Sequence, residues 1–219
     1  MMRAEMTESA LSVALFLLPC AVILERCIAD WSLFALHPAL NSLATLVCLP
    51  SALQAMLQRK NETKIAKRVR LTRLHLLLNT VAGVLIVAAG IVVFIAKQLD
   101  GDDRHLSTPH SWAALVTGLF FTLNMFHGLL LTFEGSRPNW QWKDETHAIT
   151  GVLIYIGSVA TMLYGLQTSS WGTKAFRPER QFQLTVLIVA AHVNLLKNLL
   201  VLERRERHSV VVKRAAPIA

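Results

Sequence analysis

Six long apolar stretches follow one another along the 219 residues of the chain. They cover residues 10–24, 31–57, 75–96, 110–133, 147–166 and 182–202. Most come close to the roughly 20 residues that an α-helix needs to cross the hydrocarbon core of a bilayer. A helix also satisfies every backbone polar group within its own segment, which lipid requires. The sequence therefore predicts an all-α membrane protein with six transmembrane helices.

The overall composition agrees with a membrane protein. Hydrophobic residues make up 53% of the chain and charged residues 16%, which is too little charge to cover a soluble domain of this size. The first stretch could instead be a secretory signal peptide, but Glu5 and Glu8 stand where such a signal carries basic residues. Pro50 is expected to kink the second helix. Short connections make neighbouring helices antiparallel, so residues 1–219 are predicted to form one domain.

The basic residues predict how these helices are oriented. The formal net charge is +8, but the basic residues lie between apolar stretches and form no zinc-finger pattern, so no nucleic-acid partner is expected. With the N-terminus in the cytoplasm, the inner segments carry 15 lysines and arginines and the outer segments carry 6. Cytoplasmic loops are enriched in these residues, so both termini are predicted to be cytoplasmic.

Four of the eight histidines stand at or near the start of a predicted helix. Because antiparallel helices alternate their starting faces, His37 and His110 fall near the outer face of the membrane. His75 and His147 fall near the cytoplasmic face for the same reason. The sequence interval between the outer two is only one position longer than the interval between the inner two. The chain therefore repeats one two-helix unit, with matching histidines in both copies.

This pattern suits two b-type haems. A six-coordinate b-type haem needs two neutral imidazoles on opposite sides of its iron, and two facing helices of a bundle can supply them. A single histidine at a helix end is usually an interfacial residue, but ionisable residues within a membrane are functional candidates. We predict that helices 2–5 form a central four-helix bundle over about residues 31–168. It would hold two haem b groups through the axial pairs His37/His110 and His75/His147, with irons roughly 20 Å apart.

The remaining histidines and the cysteines give weaker signals. His127 and His192 lie deep in the fourth and sixth helices, where packing or hydrogen bonding is a commoner role than ligation. His105 lies in an outer loop beside Arg104, where it could contact an anionic substrate or simply be solvated. His208 is expected to be a solvated tail residue. No C-x-x-C-H motif occurs, so covalent attachment of haem is not supported.

The residues at the helix starts resemble the cytochrome b561 family. The matching elements are His37-Pro38, Arg73-Leu74-His75, His110-Ser111-Trp112, and His147 followed by Ala148-Ile149-Thr150-Gly151. The resemblance covers about residues 31–168 and implies a six-helix protein with two haems that is usually a homodimer. It also implies that the four histidines serve as the axial ligands in the pairs predicted above. The chain looks closer to the shorter, divergent branch without extra domains.

The resemblance also implies a function. Family members transfer electrons from cytoplasmic ascorbate to monodehydroascorbate or ferric iron on the opposite side, so a transmembrane ascorbate-dependent oxidoreductase is expected. Basic residues before the third-helix histidine hold ascorbate in the family, which here points to Arg73 and Arg70. Lys143 would play the same part before the fifth helix. The stretch from Ser51 to Arg59 departs from the family pattern A-L-L-V-Y-R, which bears on the ascorbate site.

Two other interpretations stay open at the level of sequence. One is a haem-bearing membrane anchor subunit that exchanges electrons with quinol and a partner enzyme. The other is a membrane protein without redox chemistry, whose histidines are structural. The sequence contains no readable retention signal, so both the plasma membrane and an endomembrane (vesicle, endoplasmic reticulum, lysosome or vacuole) are possible locations.

Overall fold

The computed structural model describes the backbone of residues 2–102 and 104–215, and the side chains of residues 14–102 and 104–199. All regular structure in these residues is helical, so the prediction of an all-α protein is confirmed. The elements are α1 (Met2–Ala29), α2 (Leu36–Leu43), a π-helical turn (Ala44–Cys48), α3 (Leu49–Asn61), α4 (Ile65–Leu99), α5 (Pro109–Phe133), α6 (Glu145–Thr168), α7 (Ser170–Ala175) and α8 (Pro178–Ala215).

Five segments of the described chain are long and apolar enough to cross a membrane. They are Leu36–Asn61, Ile65–Leu99, Pro109–Phe133, Glu145–Thr168 and Pro178–Leu199. They correspond to the second to sixth predicted helices, and the chain is an integral, multi-pass membrane protein. The first predicted stretch lies within α1, where the described side chains begin at residue 14. For residues 10–13 of that stretch, the structure describes the backbone but not the side chains.

Several helix boundaries differ from the predicted ones. The second helix begins at Leu36 rather than Trp31, because residues before it form a turn in which the Ser32 hydroxyl accepts a hydrogen bond from the backbone N–H of Ala35, at 3.1 Å. The helix α4 starts well before His75, since the arginine, lysine and leucine residues there are good helix formers. The short helix α7 was not predicted.

The second membrane segment is interrupted directly before Pro50. A proline has no backbone N–H to donate to the carbonyl of Leu46, and in a regular α-helix its ring would press on that carbonyl. The chain instead forms the π-helical turn Ala44–Cys48, after which α3 begins with Pro50 in its first turn. A π-helical turn adds one residue to the helix without ending it. The predicted irregularity therefore lies just before the proline.

Small residues on α4 let the neighbouring helices approach closely. Ala82, Ala89 and Ala96 recur at a regular heptad interval and are 0%, 0% and 5% exposed, and α4 packs mainly against α2 and α3. Small side chains allow such close backbone contacts in membrane helices. Other faces of α4 and α5 carry large exposed apolar side chains such as Ile91 and Leu130, as expected for surfaces that meet lipid.

Candidate functional site: two histidine pairs

The first pair of imidazoles joins the starts of α2 and α5. His37 and His110 are each the second residue of their helix. Their ring centres lie 6.3 Å apart, with the ring planes nearly perpendicular at 85°. The capping box formed by Thr108 and Ser111 fixes the start of α5, because each side chain accepts a hydrogen bond from the other residue's backbone N–H. The predicted outer pair is thus brought together in space.

The second pair joins α4 and α6. The ring centres of His75 and His147 lie 6.5 Å apart, at an interplanar angle of 72°. Asp144 caps α6 by accepting a hydrogen bond from the backbone N–H of His147 at 2.6 Å, which fixes where that helix begins. The predicted inner pair is therefore also brought together, at the opposite end of the same bundle.

Backbone carbonyls set the tautomer of three of the four rings. The Nδ1 atoms of His37, His75 and His110 lie 3.0 Å from the carbonyl oxygens of Ala89, Ala52 and Thr161, respectively. A carbonyl only accepts hydrogen bonds, so each Nδ1 carries the proton and donates it. The Nε2 atom of each ring then carries a lone pair, which is the form in which histidine binds metals. In His75 this atom also lies 3.4 Å from the amide nitrogen of Asn79. The fourth ring, that of His147, faces the carbonyl of Asn124 without good hydrogen-bond geometry.

The distances between rings fit a bis-imidazole haem. Two imidazoles bound to one iron have ring centres about 6 Å apart, because each metal–nitrogen bond is about 2 Å long and each ring centre lies about 1 Å beyond its nitrogen. The separations of 6.3 and 6.5 Å agree with this value. Within the described part of the chain, no group of three or more histidine, cysteine, aspartate or glutamate side chains is placed to hold a metal ion. A haem needs only two protein ligands, since its porphyrin supplies the other four.

The two sites lie at different depths in the membrane. Ala89, which orients His37, stands on α4 about four helical turns after His75. Thr161, which orients His110, stands the same interval after His147 on α6. At a rise of about 1.5 Å per residue, both helices place the outer and inner sites about 21 Å apart along their axes. This agrees with the separation predicted from the sequence.

Glycines on the opposing helix make room for two of the rings. A Cβ atom on Gly165 of α6 would lie 2.7 Å from Cε1 of His110, and one on Gly128 of α5 would lie 2.8 Å from Cε1 of His147. Each glycine stands about five helical turns after the histidine on its own helix. The arrangement is reciprocal, because α5 and α6 each make room for the histidine of the other helix. Any side chain at either position would push an imidazole out of place.

Comparison with known proteins agrees with this geometry. The sequence profile described as eukaryotic cytochrome b561 matches residues 36–173, which include all four paired histidines. The chain belongs to the cytochrome b561 family.

Curated relatives within this family carry a reductase name. The protein named transmembrane reductase CYB561D2 from Mus musculus is 29% identical over 145 residues, and its counterparts from Bos taurus and Homo sapiens have the same identity over the same length. The aligned part is 65% of this chain and 64% of each relative. The chain thus spans somewhat less than two thirds of the length of the relatives it matches.

The loop between α5 and α6 closes over the inner pair of this cytochrome b561 fold. The indole Nε1 of Trp142 donates to the hydroxyl of Thr132 at 2.8 Å, which fixes the indole against His147 with ring centres 5.0 Å apart. The ring of His127 lies 5.9 Å from that of His147, and its Nε2 is 4.0 Å from Asp144. The sequence indicated a packing or hydrogen-bonding role for His127 and did not indicate that it neighbours a candidate axial ligand.

The candidate ascorbate residues lie at the end of the bundle that carries His75 and His147, which is predicted to face the cytoplasm. Arg70, Arg73 and Lys143 are exposed, and the guanidinium of Arg73 stacks over the ring of Trp140, 5.0 Å from its centre. The predicted residues therefore line a basic rim near the inner pair. Their role in binding ascorbate stays a prediction.

The candidate outer residue, His105, is held by its own surroundings. Its ring stacks on Phe94 at 4.5 Å, and the amide nitrogen of Gln98 donates to its Nε2 at 2.8 Å. Beside it, hydrogen bonds and charge from Arg104 lower the pKa of Asp102 to about 2, so this carboxylate stays ionised at any physiological pH. The outer loop thus presents a fixed imidazole next to an ion pair.

Proposed function

We propose that the chain carries electrons across the membrane through two haem b groups, bound by His37/His110 and by His75/His147. The electrons would come from cytoplasmic ascorbate and pass to monodehydroascorbate or a ferric chelate on the opposite side. The observation that carries this proposal is the presence of two imidazole pairs at bis-ligand spacing, about 21 Å apart in depth. The reductase names of the relatives support it.

The chain's own residues would hold and insulate the two redox centres. Each haem, when bound, supplies a centre that accepts and releases one electron. Carbonyls orient the imidazoles, and the apolar bundle keeps water and ions from the path between the sites. Phe121 fills the space between α4 and α5 midway, where its Cε1 is 3.1 Å from a Cβ built on Gly83. This aromatic contact lies within the bundle between the two sites.

The basic rim accounts for the choice of donor. Ascorbate is a monoanion at neutral pH, and exposed cations near the inner pair raise its local concentration and orient it. Arg73 and Arg70 stand on α4 just outside His75, and Lys143 stands just before α6. On the opposite side, His105 and Arg104 are the candidate contacts of an anionic acceptor. A homodimer with cytoplasmic termini, in the plasma membrane or an endomembrane, completes the proposal.

An absorption spectrum tests this function directly. The purified protein should contain two b-type haems per chain, and millimolar ascorbate should reduce them. His75→Ala and His147→Ala should remove the same haem, and His37→Ala and His110→Ala the other, because each pair shares one iron. A colourless preparation after haem-replete expression would exclude the proposal. Reduction by quinol and not by ascorbate would favour the anchor-subunit alternative.

A further inference from the structure

A buried arginine at the cytoplasmic end of α3 has no anionic partner among the side chains that the structure describes. Arg59 is 6% exposed. One terminal nitrogen, Nη2, donates to the carbonyl of Trp142 at 3.3 Å, and its Nε is buried without a hydrogen-bond partner. Among the described residues it forms no ion pair with a carboxylate. A buried cation with unmet donors is unfavourable unless another group neutralises it.

A second arginine adds to this unmet charge. Arg68 on α4 is half-buried, and its Nε is also buried without a partner. It lies close enough to Arg59 for the two guanidinium groups to repel each other. Two neighbouring cations with free N–H groups form a site that an anion would stabilise, since guanidinium groups bind carboxylates with paired hydrogen bonds.

This arginine pair lies directly on the cytoplasmic side of the inner histidine pair. Ala52, whose carbonyl holds the ring of His75, stands about two helical turns before Arg59, and Arg68 stands about two turns before His75. Arg59 therefore lies on the same helix face as Ala52, and Arg68 lies on the same face as His75. Each arginine is about 10 Å nearer the cytoplasm than the residue with which it shares a face. Trp142 links the two groups, because its carbonyl contacts Arg59 and its ring packs on His147.

We propose that Arg59 and Arg68 bind a carboxylate of the inner haem. A b-type haem carries two propionate groups on one edge, and such a group would reach from the axial ligands towards the membrane surface. The arginines lie at that depth, on the helix faces that carry His75 and its hydrogen-bond acceptor. This inference rests on the proposed function. It makes the haem propionate, and not the substrate, the group that Arg59 and Arg68 bind.

A soluble anion such as ascorbate is the competing occupant, and burial argues against it. A soluble donor must reach its site from water. Arg70, Arg73 and Lys143 are exposed and accessible, whereas Arg59 is covered by Trp142 and its own helix packing. The buried guanidinium therefore fits a group that is part of a resident cofactor.

Substitution of Arg59 tests the assignment through the haem itself. Redox titration of the purified protein should resolve two components, and Arg59→Gln should move one of them to a lower midpoint potential. Removing a cation near the iron disfavours the reduced form, which carries one positive charge fewer. The other component should not move. Arg59→Lys should restore the potential in part, because it keeps the charge without the planar donor pair. Lys67→Gln is the matched control, since its side chain is 63% exposed and both components should stay in place.

The outcomes separate this inference from the proposed function. Two haems per chain with both potentials unchanged in Arg59→Gln, together with a raised KM for ascorbate, would assign the arginine to the donor and overturn the inference. Absence of haem from the unsubstituted protein would instead refute the proposed function. If Arg59→Gln does not accumulate, Arg68→Gln provides the same titration, and an unchanged potential there would also overturn the inference.

Discussion

The glycines beside the paired histidines show how strictly single residues define the two sites. Cβ atoms on Gly165 and Gly128 would lie 2.7 and 2.8 Å from Cε1 of His110 and His147. Interiors of helical bundles leave little room for such overlap, and forced overpacking costs about 1–3 kcal/mol. The imidazole is the mobile partner, so the strain would be relieved by turning it away from the other ring of its pair.

Alanine at either glycine should therefore deplete one haem selectively. Gly165→Ala should lower occupancy of the outer site and Gly128→Ala that of the inner site, with haem content falling from two per chain towards one. Haem and protein assays of the purified variants measure this. Gly118→Ala on α5 is the control, because nothing lies within 4 Å of its added Cβ. Equal haem loss in all three variants would show that general helix packing, and not contact with the ring, is responsible.

Sequence alone predicted some residues of the site and not others. The four axial candidates were recognisable because histidine is rare at the start of an apolar helix and the spacing repeats. The two glycines were not, because their importance depends on a distance between helices that hydropathy does not encode. Arg59 was counted among the basic residues that orient the protein, and only its burial distinguishes it from its exposed neighbours.

The helices of the first two-helix unit orient that unit's own histidines. His37 on α2 is held by Ala89 on α4, and His75 on α4 is held by Ala52 on α3. The interval from His37 to Ala52 is one residue longer than the interval from His75 to Ala89. The π-helical turn supplies that additional residue. It was not predictable from the sequence beyond the irregularity expected at Pro50.

Removing one residue from the π-helical turn should leave both sites intact. Deleting Val47 together with Pro50→Ala allows a continuous α-helix in which His37 and Ala52 have the same spacing as His75 and Ala89, so both ends keep their orientation. Haem content should stay near two per chain. Deleting Leu85 from the regular helix α4 is the matched control, because it turns His75 and Ala89 relative to each other by about 100°. That variant should lose haem, and loss of haem in the Val47 deletion as well would contradict this account of the turn.

At the scale of the whole molecule, each site is completed only when the two units meet. The first unit, α2 to α4, contributes His37 and His75, and the second unit, α5 and α6, contributes His110 and His147. One ring of each unit therefore stands at each end of the bundle. The sequence repeat predicted this arrangement, since nearly equal intervals place matching residues at equal depth. The asymmetry between the two ends comes from the loops, in which basic residues gather on one side.

That asymmetry predicts sidedness of electron entry. The predicted inner segments carry 15 basic residues and the outer segments 6, and a cationic surface speeds the approach of an anion about tenfold or more at low ionic strength. In sealed vesicles of uniform orientation, ascorbate added on the side of the termini should reduce haem about tenfold faster than ascorbate added on the other side. Salt should diminish this difference between the two rates, because it screens exposed charges. Protease-cleavable tags on both termini report which side is exposed. Equal rates from both sides, or faster reduction from the side opposite the termini, would contradict the basic rim as the entry point for electrons.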